Sequence, residues 1–277
     1  HYLEASKSER YVLALDETVE GKSGKKTYGI NWFFSSIISK VIPSISCHTI
    51  SIVDTQKESS FVLTHHQTVK PERKSKRKSS KKSGKSKSKK KKKEGKPGRP
   101  KGSKNKTNTK NEGLLYKSFE LLLSLVVPLF RGTGIDIRYV LGDGSYGNKT
   151  CCLIAREYGL ELLSKLNRNT GLFFPYAGDY SGSGRPKKYG DKVDYNNIGE
   201  EYLFQRTMED KIETSIYQIK GLWTKHMPSL INVVIIVKIN HITKKTARVL
   251  LFSTDLALEG MKIIRFYSLR FQIEFNF

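Results

Sequence analysis

RYVLGDGSYGN, residues 138–148, decides how the rest of the chain is read. Tyr139, Val140 and Leu141 favour a pleated strand. An acid, Asp143, follows at once between Gly142 and Gly144. Asp beside Gly is an ordinary turn signal, because Asp tolerates turn geometry and Gly supplies positive φ. A second stretch has the same design: YVLALDET, residues 11–18, is an unbroken apolar run that ends in Asp16. Runs of this kind suit strands buried on both faces. Ligands of open α/β sheets bind beyond the carboxyl ends of such strands. Two acids at two strand ends raise the expectation of a metal site that neither raises alone.

Composition limits the possible partners. The formal net charge of the 277 residues is +24. Residues 70–110 hold 21 Lys and Arg against two Glu, a net of +19, which leaves +5 for everything else. A mildly basic body therefore bears one intensely basic insertion. Polyphosphate is its natural partner, since neutralised phosphates release counterions; a solvated loop with no partner is the plainer alternative. Cys47, Cys151 and Cys152 make no CxxC pair, so the expectation is buried thiols in a reducing compartment and no zinc site. The longest apolar stretch, residues 114–130, contains Lys117, Glu120 and Pro128 and is too short to span a bilayer. The expected setting is cytoplasmic, on the nucleoid, with no membrane partner.

Along the chain, strands are expected at residues 11–18, 27–38 and 44–53, as a meander. Residues 58–69 read as the start of a helix or as loop. The Lys/Ser tract cannot bury enough apolar area to order itself. A helix follows at 114–130, then the Asp143 strand, then a helix at 149–158 capped by Asn148 and stopped by Gly159. Residues 160–168 read as strand, 171–197 as loop, and 231–239 and 247–253 as strands. Residues 258–277 read as one helix. This order suggests an α/β, RNase-H-like mixed sheet flanked by helices, with a disordered basic insertion.

A metal held by Asp16 and Asp143 needs further oxygen ligands. The last helix offers Glu274, with Tyr267 and Arg270 at spacings that put all three on one helical face. An exposed Arg270–Glu274 pair on an ordinary amphipathic helix is the simpler account of the same spacing.

Five pieces in this order resemble a DDE transposase of bacterial insertion sequences, in the branch marked by Tyr-x-x-Arg-x-x-x-Glu. They are LALDETVEGKSGKKTYGI, VLGDGSYGN, LLSKLNRN, GRPKKYGDKVDY and YSLRFQIE. The resemblance implies that Asp16, Asp143 and Glu274 are the catalytic acids and ligands of Mg²⁺ or Mn²⁺. It implies that Tyr267 and Arg270 support the site and the transposon-end DNA. With Glu274 131 positions after Asp143, it also implies a mostly β insertion domain. The expected organisation is core at 1–69, basic insertion at 70–110, core at 111–172, β-rich insertion at 173–255 and the final core helix at 256–277. The signature usually continues to a lysine at what would be position 281, and a helical DNA-binding region usually precedes the first acid; the expectation is a chain truncated at both ends.

Two metals about 3.5–4 Å apart would activate the attacking water or 3′-hydroxyl and stabilise the leaving oxygen. The glycines beside Asp143 are expected to admit the DNA backbone. Gly98-Arg99-Pro100 and Gly184-Arg185-Pro186-Lys187-Lys188 resemble AT-hook cores, so Arg99, Arg185, Lys187 and Lys188 are candidate DNA contacts. The expected function is cleavage of transposon ends and strand transfer into target DNA, with a homodimer possible in the DNA complex. The alternatives are a non-catalytic basic DNA-binding protein, an inactive transposase remnant, or a nuclease without strand transfer.

Overall fold

The computed structural model of the chain describes residues 6–24, 26–70, 113–180, 182 and 184–276. The basic tract after Lys70, with Arg99, lies outside them. Twelve strands are present among the described residues: β1 (Ser6–Gly21), β2 (Asn31–Ser35), β3 (Lys40–Asp54), β4 (Ser59–Thr68), β5 (Ile135–Leu141), β6 (Glu161–Leu166), β7 (Phe173–Pro175), β8 (Tyr189–Lys192), β9 (Leu203–Glu209), β10 (Ile212–Leu222), β11 (Ile231–Asn240) and β12 (Thr246–Ser253). The helices are α1 (Leu114–Phe130), α2 (Lys149–Glu157) and α3 (Gly260–Leu269), and α3 runs into a 3₁₀ segment, Arg270–Asn276. No helix among the described residues is long and apolar enough to cross a membrane.

Ten strands form one sheet in the order β2-β3-β1-β5-β6-β12-β11-β10-β9, with β4 also paired to β3. β1, β5 and β6 run parallel in the middle, and the flanking strands are antiparallel. Both faces of the centre are covered, which is why its strands read as continuous apolar runs. One face packs Leu13, Leu15, Val140 and Leu162 against Phe119, Leu122 and Leu123 of α1 and Cys151 and Ala155 of α2. The other packs Val12, Ala14, Tyr139, Leu141 and Leu163 against Ile263, Phe266 and Leu269 of α3. This is the mixed α/β architecture expected of an RNase-H-like domain.

Several local expectations are corrected. Residues 58–69 are a strand: β4 pairs with the open side of β3 over Ser46–Asp54. Only Asn31–Ser35 of the stretch 27–38 is strand, because the chain reverses at 36–39. The stretch 171–197 contains the β7–β8 hairpin. β9 and β10, inside the stretch expected to be mostly β, were not placed individually; Gln, Thr, Ser and Glu dilute their apolar residues, and pairing of β10 to β11 and of β9 to β10 makes them strands. The strands from β9 to β12 extend the core sheet through the β12–β6 pairing.

A buried polar cluster hangs α3 from these added strands. The Gln218 amide donates to the carbonyl of Leu258 and to Asn232, and its oxygen accepts the Gly260 backbone N–H at 3.0 Å. Asn232 donates to the carbonyls of Asp255 and Leu258. Asp255 accepts the Tyr139 hydroxyl at 2.8 Å, pairs with Arg138 at 2.8 Å, and accepts the Ala257 N–H. Replacing Asp255 with Ala strands the buried Tyr139 hydroxyl and unties the turn into α3. We expect a loss of about 2–4 kcal/mol in urea unfolding, against about 1 kcal/mol for Tyr139→Phe.

Candidate active site

Asp16 and Asp143 are placed by strand register. β1 and β5 pair in parallel with Leu13 opposite Val140 and Ala14 opposite Leu141. Each acid stands two residues beyond Ala14 or Leu141. Adjacent strands lie about 4.8 Å apart and side chains alternate, so both acids leave the sheet side by side on the face that α3 covers.

Asp143 opens the turn between β5 and α2. The Ser145 backbone N–H and hydroxyl donate to Asp143 Oδ1 at 2.9 and 2.5 Å. Ser164 Oγ on β6 donates to the Asp143 carbonyl at 2.5 Å. Among the described residues no donor reaches Oδ2. Asn148 then caps α2, its side chain accepting from Thr150 N and Cys151 N.

Two of the glycines around Asp143, Gly142 and Gly147, serve the protein's own packing. A Cβ on Gly142 would lie 2.7 Å from Cβ of Tyr146, and one on Gly147 would lie 2.6 Å from the Lys165 carbonyl oxygen. At Gly144 the nearest atom would be 3.5 Å away, an ordinary contact. Gly142 therefore makes room for the Tyr146 ring.

Arg270 supplies the positive charge. It is buried, its guanidinium stands 3.5 Å from Asp16, and it stacks near Phe271 at 4.4 Å and Tyr267 at 5.7 Å. The alternative of an exposed Arg270–Glu274 pair is thus replaced by a buried pair of Arg270 with Asp16. The reason is the change of helix type at Arg270. Four residues of α-helix turn the chain through about 400°, leaving Glu274 about 40° from Arg270. Four residues of 3₁₀ helix turn it through about 480°, leaving about 120°. Ile273 takes the inward place, fully buried, and Glu274 is exposed.

The electrostatics join what the helix change separates. Burial raises the Asp16 carboxyl above its usual range; Arg270 opposes this, and the charges of Asp143 and Glu274 add to it. Burial also raises the Tyr267 hydroxyl, with Arg270 opposing and Asp143 adding. Glu274 therefore lies within the field of Asp16, although no three of His, Cys, Asp or Glu among the described residues come close enough to share one ion. The donor chemistry of Asp16 and Asp143 fits a hard divalent cation, since both offer carboxylate oxygens and Asp16 lacks enough positive charge to ionise as readily as an ordinary Asp.

Sequence reading did not single out the support behind the acids. On the opposite face, His48 Nδ1 shares a 3.0 Å hydrogen bond with the buried Tyr146 hydroxyl, and its Nε2 stands 3.9 Å from Glu17. Ser46 Oγ donates to Glu17 at 2.6 Å. Burial lowers the basicity of His48, and Glu17 opposes that. A histidine inside the β-branched run of β3, and a tyrosine inside a glycine turn, were the available signals.

The remaining candidates lie on the β7–β8 hairpin. Lys188 Nζ sits 3.4 Å above the Trp223 ring and Lys187 5.2 Å from that of Tyr176, while Arg185 is exposed. A cavity of about 530 Å³ opens beside the Asp143 turn, lined by Gly144, Gly147, Asn148, Lys165, Asn167 and His226 among others.

The family model described as DDE superfamily endonuclease matches residues 2–216, and the chain belongs to that family. The match takes in Asp16 and Asp143 and ends before Tyr267, Arg270 and Glu274. No curated protein matches the chain.

Two outcomes follow from this geometry. Gly142→Ala forces the Tyr146 ring aside and is expected to cost about 1–3 kcal/mol in denaturant unfolding; Gly144→Ala is expected to cost less. In metal-free buffer, carboxyl NMR should show Asp16 titrating above an ordinary Asp. Arg270→Gln removes the cation and should move that titration further up; Asp143→Asn removes an anion and should move it down. Movement in the opposite sense in either variant would contradict the placement.

Proposed function

We propose that this DDE superfamily endonuclease is a transposase-type enzyme that cuts DNA at transposon ends and joins the freed 3′-hydroxyl to target DNA. The observation that carries this reading is the pair Asp16–Asp143, set side by side at the carboxyl ends of adjoining parallel strands. DNA as substrate accords with the family and with the +24 net charge.

Asp16 and Asp143 would hold the divalent cation, with Glu274 as the third acid. Glu274 reaches it only if the 3₁₀ segment turns when DNA or metal is present. When bound, the cation supplies Lewis-acid stabilisation of the charge that develops on the phosphate and on the leaving 3′ oxygen. The protein's part is positional. Ser145 holds Asp143 by Oδ1 and leaves Oδ2 for a ligand. Arg270 opposes the rise that burial gives the Asp16 carboxyl and offers a planar fork suited to a phosphate. Tyr267 packs beside Arg270 and limits its freedom. The polar cavity with Lys165 and Asn167 gives the strand beyond the cut a place to lie. Arg185, Lys187 and Lys188 meet the backbone farther along the DNA, and a homodimer would bring two ends together. Hydrolysis and strand transfer differ only in the nucleophile, so one site serves both.

The test is end cleavage beside a gel shift, with and without Mg²⁺. Asp143→Asn should lower cleavage about 1,000-fold, equivalent to several kcal/mol of lost charge stabilisation. DNA affinity should stay nearly unchanged, because it rests on Lys and Arg. A wild type that binds DNA yet never cuts it would favour the non-catalytic reading.

A further inference from the structure

The sheet face that carries Asp16 does not stop at the acids. In β1, Asp16, Thr18 and Glu20 point the same way. Across the ladder they meet Thr49, Cys47 and Ile45 of β3. Farther along β3, Pro43 and Val41 continue the face and stand opposite Trp32 and Phe34 of β2. α3 covers the core strands and its 3₁₀ continuation packs on β1, β3 and β4, leaving Thr49 buried; beyond Thr49 the face opens, with Cys47 and Ile45 half-buried and Pro43 and Val41 exposed. Trp32 is 61% exposed and Phe34 60%, on a strand whose other side is buried at Phe33 and Ser35. Two large aromatic rings held in solvent on a rigid sheet are costly to leave bare.

We propose that this face is a stacking platform for unpaired bases of the DNA strand that leaves the active site. The ligand class rests on the reading of the chain as a DNA-cutting enzyme. Three observations favour DNA as the occupant. The face is the one Asp16 leaves from, and it opens two residues beyond the acid, at Thr18 and Cys47, so a strand held at the acids has a short way to reach it. The basic tract springs from its edge: the Lys70 ammonium donates to the Trp32 carbonyl and sits 3.9 Å from the Phe33 ring, and residues 70–110 carry 21 Lys and Arg. The spacing also suits bases. Trp32 and Phe34 are two residues apart on one side of a strand, about 7 Å, which is twice the roughly 3.4 Å rise between bases on a strand and leaves room for one base between the rings. Only an unpaired base offers its π-face to such rings, and stacking tolerates any sequence.

Register also sets the reach. Pro43, opposite Trp32, lies six residues along β3 from Thr49, opposite Asp16, or about 20 Å. At about 3.4 Å per base step the platform meets the strand about six nucleotides from the cut.

The chain has two tryptophans. In the full chain, Trp223→Phe leaves Trp32 as the single emitter, and Asp143→Asn with EDTA removes cleavage, so failure to cut cannot mask failure to stack. Adding an oligothymidylate of about 16 nucleotides should quench Trp32. Trp32→Ala and Phe34→Ala should each weaken single-strand binding about tenfold. Binding of a blunt duplex should change little. Both side chains are exposed, so melting curves should match the parent and exclude misfolding. Absence of quenching, or equal loss on the blunt duplex, would overturn the proposal. Loss of self-association in sedimentation by the same variants, with no change in single-strand binding, would instead assign the face to a second copy of the chain.

Discussion

The parallel pairing of β1 with β5 is the constraint on which the site depends. A slip of one residue between these strands would send one acid to the α1 face and separate it from the other. The register is held because both strands are buried on both faces. Each slip would also exchange Leu13 and Leu15 for Val12 and Ala14 against α1. The same apolar packing that stabilises the sheet thus fixes a carboxylate pair that electrostatics alone would push apart.

Like charges held together need compensation, and the structure provides it from two directions. Arg270 approaches Asp16 from the α3 side, buried and stacked between aromatic rings. Ser145 and Ser164 hold the Asp143 turn by its side chain and its backbone. On the far side of the sheet, Tyr146 fills the space that Gly142 leaves and is tied to His48. Gly142 and Gly147 therefore answer a packing demand of the turn, and the small size of Gly142 lets an aromatic ring sit directly behind the strand end that leads to Asp143.

Much of this was legible in residue order. The two apolar runs ending in acids gave away the central strands, and the helices at 114–130 and 149–157 follow apolar periodicity and the Asn148 cap. Three features were not legible, each for a physical reason. β4 and β9 are peripheral strands whose pairing comes from long-range partners and leaves little hydrophobic signal of their own. The end of α3 tightens to 3₁₀, with Ile273 buried, and nothing in the local spacing of Tyr267, Arg270 and Glu274 signals that change. Partnership between Arg270 and Asp16 spans nearly the whole chain, whereas the i,i+4 rule looks only four residues ahead. The spacing of Tyr267, Arg270 and Glu274 described a motif correctly but not the direction in which each side chain points.

The suspension of α3 from Gln218 and Asn232 has a mechanical meaning. The first backbone N–H of the helix is held by a side chain from β10, and the turn before it by one from β11. Arg270 lies at the other end of that short helix, against Asp16. A shift of the outer strands would therefore reach the acid pair through a helix about 15 Å long. A partner that moved the β9–β10 edge would alter the affinity of the acids for the cation proposed above, and thermodynamic reciprocity would require the cation to alter that edge by the same factor. The strands added beyond β6 are thus both a wall of the domain and a lever on its charges.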